Sequence, residues 1–210
     1  MIDIIDLEKE LPKALELIDE NWVMQDNEQD KRSKFIYTAT SVKEVIEKSK
    51  ENKIDIKYAL HRWYNYHTSI TCEKICVDYG AKKVINLKDK EKDIYINHLP
   101  YDVKLTVYPK KLYNKPYNLY TRKGKNEMIK WMYENQSQEG RKHLKNRLFI
   151  VCDGKTAYDN LCLKSNFNLI RDRIEKFMNY SKTNGLNKID IKDGNNTYTV
   201  YSDIIYIKED

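Results

Sequence analysis

Three charged residues stand where a β-hairpin would carry them together. Asp93 leads the run Ile94-Tyr95-Ile96, and Asp102 and Lys104 alternate with apolar neighbours in Tyr101-Asp102-Val103-Lys104-Leu105-Thr106-Val107. Side chains alternate across a strand, so Asp102, Lys104 and Thr106 share one face and Val103, Leu105 and Val107 the other. On the first arm Asp93, Tyr95 and Asn97 share a face. A register that sets Asp93 opposite either Asp102 or Lys104 gathers all three charges, with the turn at Asn97-His98 or at His98-Leu99. Two carboxylates side by side repel, and one lysine relieves that only in part, so the cluster is costly without a cation. Mg²⁺ suits it, being an oxygen-seeking ion that keeps its waters and needs one or two carboxylates; Mn²⁺ is the expected substitute. Such a site is suited to phosphate chemistry, with the ion acidifying a bound water and Lys104 stabilising charge at phosphorus.

The elements that must position these groups are readable on either side. From Ile56 to about Tyr79 there is neither Pro nor Gly, and Tyr66, Ile70, Glu73 and Val77 share a helical face. Asp55 is placed to cap that helix and Gly80 to stop it. Glu73 then projects from the helix entering the hairpin region, where it is placed to hold a second metal or a metal-bound water. Val84-Ile85 suggests a strand between helix and hairpin. After Pro109 comes a basic, tyrosine-rich connection from Lys110 to Lys125, then a helix around Glu127 to Asn135. The apolar run from Asn146 to Cys152 reads as a buried strand. A helix follows from Phe167 to Tyr180, and a terminal hairpin from Lys188 to Ile207 turns at Gly194-Asn195-Asn196.

Upstream, Leu7, Leu11, Leu15, Ile18 and Trp22 form one apolar helical stripe interrupted by Pro12. Gln25 to Ser33 reads as a loop and Phe35-Ile36-Tyr37 as a short strand. Ser41 with Glu44 is a capping pattern that opens a helix to about Lys50. The expected organisation is one domain over residues 1–210, with a helical part (1–50), a core (56–180) and a C-terminal hairpin (188–207). Its class is α/β, a central mixed sheet flanked by helices.

Asp93 followed by Asp102-Val103-Lys104, with Glu73 on the preceding helix, resembles the metal-binding core of the PD-(D/E)XK nuclease superfamily. The resemblance covers about Ile56 to Pro109, and more loosely residues 146–180. Lys92 stands where the family pattern has proline, and Asp102 where Glu is commoner. The resemblance implies a restriction-endonuclease-like fold and Mg²⁺-dependent hydrolysis of DNA phosphodiester bonds, most like a type II restriction endonuclease. It implies Asp93, Asp102 and the Val103 carbonyl as metal ligands, Lys104 as the catalytic cation and Glu73 as the auxiliary acid. A homodimer acting on duplex DNA is expected, since a twofold protein matches a palindromic site, with a cognate methyltransferase as companion. The alternatives are a repair, mobile-element or anti-phage nuclease of the same fold, and a non-catalytic module that retains it.

The net charge of +6 permits a polyanionic partner without requiring one. Lys, Ile, Asn and Tyr are abundant and Arg, Ala and Gly sparse, as AT-rich coding produces. Beside the hairpin, Lys110, Lys111, Lys115, Arg122, Lys123 and Lys125 flank Tyr113, Tyr117 and Tyr120, a pattern suited to DNA contact. Arg141-Lys142-His143 with Asn146-Arg147 reads equally as a phosphate contact or a solvated helix end. Cys72 and Cys76 lie at helical spacing near His61 and His67, but no second Cys pair completes a zinc site, and buried free thiols are the better reading of all four cysteines. Gly154-Lys155-Thr156 imitates the end of a phosphate-binding loop, yet Phe149 stands where its first glycine belongs. No run is long and apolar enough for a signal or a membrane span, so a cytoplasmic protein is expected.

Overall fold

The computed structural model describes residues 2–18, 26–84, 92–135 and 145–209. They form two compact units, Met1–Thr71 with Gly154–Asn166, and Cys72–Asp153 with Phe167–Asp210. These subdivide what the sequence reads as one domain.

The first unit is helical: α1 (Ile4–Leu15), α2 (Asn27–Arg32), α3 (Val42–Glu51), residues 56–71 of α4 (Ile56–Asp78) and α6 (Ala157–Ser165). The stripe of α1 buries Leu7, Leu11 and Leu15, and Pro12 sits inside the helix without ending it. Trp22 and Gln25 lie outside the described residues. The remainder of the expected loop holds α2, whose first amides donate to the Asp26 carboxylate. Phe35-Ile36-Tyr37 is a 3₁₀ turn rather than a strand. It buries only Ile36, so the apolar triplet has no sheet to join. The fully buried Trp63 and Tyr64 of α4 satisfy their polar tips on carbonyls, Trp63 Nε1 donating to Ala39 (2.9 Å) and the Tyr64 hydroxyl to Leu161 (2.6 Å).

The second unit carries a six-stranded mixed sheet in the order β1 (Lys82–Lys83), β2 (Ile94–Ile96), β3 (Leu99–Val107), β4 (Arg147–Cys152), β6 (Asn196–Ile207), β5 (Lys188–Asp193). β1, β2 and β3 pair antiparallel, β3 and β6 each run parallel to β4, and β5 and β6 close as an antiparallel hairpin. Leu148 to Cys152 are wholly buried, which is why β4 reads as an unbroken apolar run. Helix α5 (Arg122–Asn135) lays Met128, Ile129 and Met132 into a core with Phe149, Val151 and Ile204, and α7 (Phe167–Asn184) buries Ile170, Ile174 and Met178. The fold is therefore α/β, an open mixed sheet flanked by helices.

Two boundaries differ from expectation for identifiable reasons. α5 begins at Arg122, inside the supposed connection. Its first turn carries Arg122, Lys123 and Lys125, which oppose the helix dipole, and Gly124, a poor helix former. Gly124 is required there, since a Cβ would stand 2.1 Å from the Asn118 carbonyl oxygen. Of the expected Val84-Ile85 strand, β1 occupies Lys82–Lys83 instead, and Ile85 lies outside the described residues.

Candidate active site

Helix α4 brings Glu73 into the second unit. Asp55 caps its start, its carboxylate accepting the Tyr58 amide at 2.7 Å, and Gly80 (φ 108°) ends it in a conformation that L side chains avoid. The hairpin turns on two residues, Asn97 and His98, both at positive φ (46° and 67°). That is the twist of the tight turn that suits a right-handed hairpin. Ile96 therefore pairs with Leu99, Tyr95 with Pro100 and Ile94 with Tyr101. The ladder stops there; Asp93 and Asp102 are the next residue on either strand, and the turn is that of the first of the two alignments the sequence allows.

The geometry around that pair is specific. Asp93 donates its backbone amide to Tyr101 (2.8 Å), while its Oδ2 accepts the Val103 amide at 2.7 Å. The backbone of Val103 thus faces the Asp93 side of β3, and its carbonyl leaves the strand on that side too. Asp102 is nearly buried, its side chain 13 % exposed. Its Oδ1 meets Lys104 Nζ at 2.7 Å and its Oδ2 meets Arg147 Nε at 3.2 Å. Asp102 thus pairs with one cation along β3 and one on β4.

Arg147 had only been read as a phosphate contact or a solvated end. It opens β4 directly beside Asp102 in the parallel register and lies over the Tyr133 ring, its guanidinium carbon 5.5 Å from the centroid. A parallel register between strands about 45 residues apart leaves no local trace in sequence, so the pairing had no signal to find.

The acids are electrostatically uncomfortable. Burial raises the Asp93 carboxyl above its ordinary range and the Asp102 carboxylate beside it adds to the rise, against the Val103 amide and Lys104. Burial first, then the charge of Asp93, pushes Glu73 up to about 7, with Lys83 and Lys104 pulling the other way. Glu73, Asp93, Asp102 and Lys104 therefore share one electrostatic neighbourhood, joined by Arg147 and Lys83. Among the described residues no three His, Cys, Asp or Glu side chains form a ready-made metal cage. Asp93 and Asp102 nevertheless offer two adjoining carboxylates, which fits an ion that takes one or two carboxylates and retains water.

No protein-family model, curated protein or solved structure matches this chain.

The remaining candidates separate. Lys110, Lys111, Lys115 and Lys123 are exposed, whereas Arg122 pairs with Asp203 at 2.7 Å and lies over the Tyr180 ring. Arg141, Lys142 and His143 lie outside the described residues. Cys72 and Cys76 are fully buried free thiols, and burial pushes the Cys76 thiol up to about 12. Gly154-Lys155-Thr156 is the cap of α6, Thr156 and Asp159 exchanging side-chain and backbone hydrogen bonds. No helix among the described residues is long and apolar enough to cross a membrane.

Proposed function

We propose that this protein is a Mg²⁺-dependent nuclease of PD-(D/E)XK type that hydrolyses DNA phosphodiester bonds, in the manner of a type II restriction endonuclease. One observation carries the reading: Asp93 and Asp102 adjoin beyond a two-residue turn, with Lys104 on Asp102 and Glu73 in the same electrostatic field. Asp93 and Asp102 would hold the ion, with the Val103 carbonyl on the Asp93 side. When bound, Mg²⁺ neutralises phosphate oxygens and acidifies a coordinated water.

The chain's own groups supply the rest. Lys104 presents an ammonium to the charge that grows on the phosphoryl oxygens. Glu73, near neutrality in its affinity for protons, is suited to take one from the attacking water and release it. Arg147 fixes the Asp102 carboxylate from the β4 side, keeping its oxygens oriented. A cytoplasmic homodimer with duplex DNA as substrate, and a companion methyltransferase, complete the proposal.

A second reading, a non-catalytic DNA-binding module on the same fold, is favoured by one observation: both Asp102 oxygens are already engaged by Lys104 and Arg147. Cleavage separates the two. Plasmid nicking in Mg²⁺ should fall at least about a hundredfold in Lys104→Ala, with folding and DNA retention preserved. Undiminished cleavage by that variant removes Lys104 from the chemistry, and no cleavage by the unaltered protein favours the second reading. Circular duplex, linear duplex and single-stranded substrates tested together distinguish a restriction-type cutter from one acting on ends or RNA.

A further inference from the structure

The free flank of β6 carries a groove unlike the carboxylate site. Residues 196–201 of β6 pair with β5, but residues 202–207 pair only with β4. Along that unpaired flank, between α5 and α7, runs a cavity of about 460 Å³. Five cations line it, Arg122, Lys125, Arg173, Lys176 and Lys208, against the single acid Asp203. Asp172, which pairs with Lys176 and Arg173, and Asp153, which pairs with Lys208, are not among its walls. Tyr120, Phe177, Tyr180 and Tyr206 supply the aromatic surface, with Tyr120 74 % and Tyr180 49 % exposed. A second cavity of about 430 Å³ adjoins it through Tyr120, Tyr206 and Lys208, and adds Tyr108, Tyr113 and Tyr117 together with the acid Asp153.

An unpaired strand edge ordinarily invites another strand. Here that edge is interrupted at Ile204. Lys125 Nζ donates to the Ile204 carbonyl at 2.7 Å, and the Ile204 amide donates to Asp203 Oδ1 at 2.8 Å. At Ile204 both backbone groups that an incoming peptide would use are engaged by side chains, so an extended peptide would meet an interrupted ladder there. Cations interleaved with exposed tyrosines suit phosphates interleaved with planar bases instead. From Asp203 to Lys208 the strand advances about 16 Å, and the second cavity prolongs the path, a span of several phosphates rather than one.

We infer that the groove along the free flank of β6 binds single-stranded nucleic acid, with α7 and the start of α5 contacting phosphates and the tyrosines stacking bases. The inference goes beyond the nuclease reading and does not need it, because binding is measurable where no cleavage can occur.

The test is fluorescence anisotropy of a labelled oligothymidylate about a dozen nucleotides long, titrated with the full chain in EDTA over a range of salt. Arg173→Ala with Lys176→Ala should weaken binding about tenfold and lower the salt slope by roughly 1 to 1.5. Tyr180→Ala should weaken it at least about fivefold with the slope retained. Asp93→Asn should leave binding unchanged and abolish cleavage, so failure of either claim is seen apart from the other. Unaltered affinity in both groove variants overturns the inference. So does equal binding of thymidine monophosphate, or displacement of the oligonucleotide by polyglutamate at equal charge.

Discussion

Two aspartates of one sheet, Asp102 on β3 and Asp203 on β6, each stand among cations, yet their surroundings are opposite in balance. Asp102 has Lys104 and Arg147 but shares its field with Asp93 and Glu73, both held above their ordinary proton affinity. Asp203 has Arg122 and the nearby Lys125, with no second acid in the groove wall. An excess of buried acid calls for a cation, whereas an excess of cation with exposed tyrosines calls for a polyanion. On the readings proposed above, the same acid-and-base pairing belongs to a metal site on one strand and to a nucleic-acid groove on the other.

Removing the arginine from each aspartate sharpens the contrast. Arg147 and Asp102 are both nearly buried, their side chains 11 % and 13 % exposed. Arg147→Met should therefore destabilise the chain by about 3 kcal/mol, because it strands a desolvated carboxylate among other acids. The readout is urea denaturation without divalent ions. A cost under about 0.5 kcal/mol would mean that the acids do not burden one another, and the comparison would break.

The second effect is pH-dependent and has a definite sign. Glu73 binds its proton more tightly in the folded chain, at about 7 against an ordinary 4.5. Its contribution to stability is complete below pH 4.5 and is lost as pH rises to about 7. The raised Asp93 carboxyl acts in the same sense. In EDTA, stability should fall across that window, and Glu73→Gln should flatten the fall and gain on the order of 2 kcal/mol at pH 8. A pH-independent difference between the two proteins would place Glu73 outside the acidic field.

The smallest effect belongs to the groove. Arg122 is 41 % exposed and Asp203 keeps both Lys125 nearby and the Ile204 amide, so Arg122→Ala should cost only about 1 kcal/mol by thermal melting. A loss equal to that of Arg147→Met would erase the distinction between the two aspartates.

How much of this was legible follows from how local each signal is. The hairpin and its acids could be read because alternation and a two-residue turn act over a few neighbours, and α4 because Asp55 and Gly80 mark its ends. The class of the fold followed from the order of elements. Arg147 could not be placed, since its partner is set by the parallel β3–β4 register. β1 left no apolar trace, being Lys82–Lys83. α6 is marked by a polar signal, the Thr156 and Asp159 capping pair, which overlaps the Gly154-Lys155-Thr156 that resembles the end of a phosphate loop. The groove was half legible: its Tyr120 and Arg122 stood out as suited to DNA contact, but α7 and β6 supply its other walls from distant sequence.

The central claim is that Asp93 and Asp102 together need a divalent cation, and calorimetric titration of Mg²⁺ into the full chain tests it most directly. Saturable binding by the unaltered protein, lost in both Asp93→Asn and Asp102→Asn, is the predicted result. Absence of binding, or equal binding by all three proteins, would contradict it.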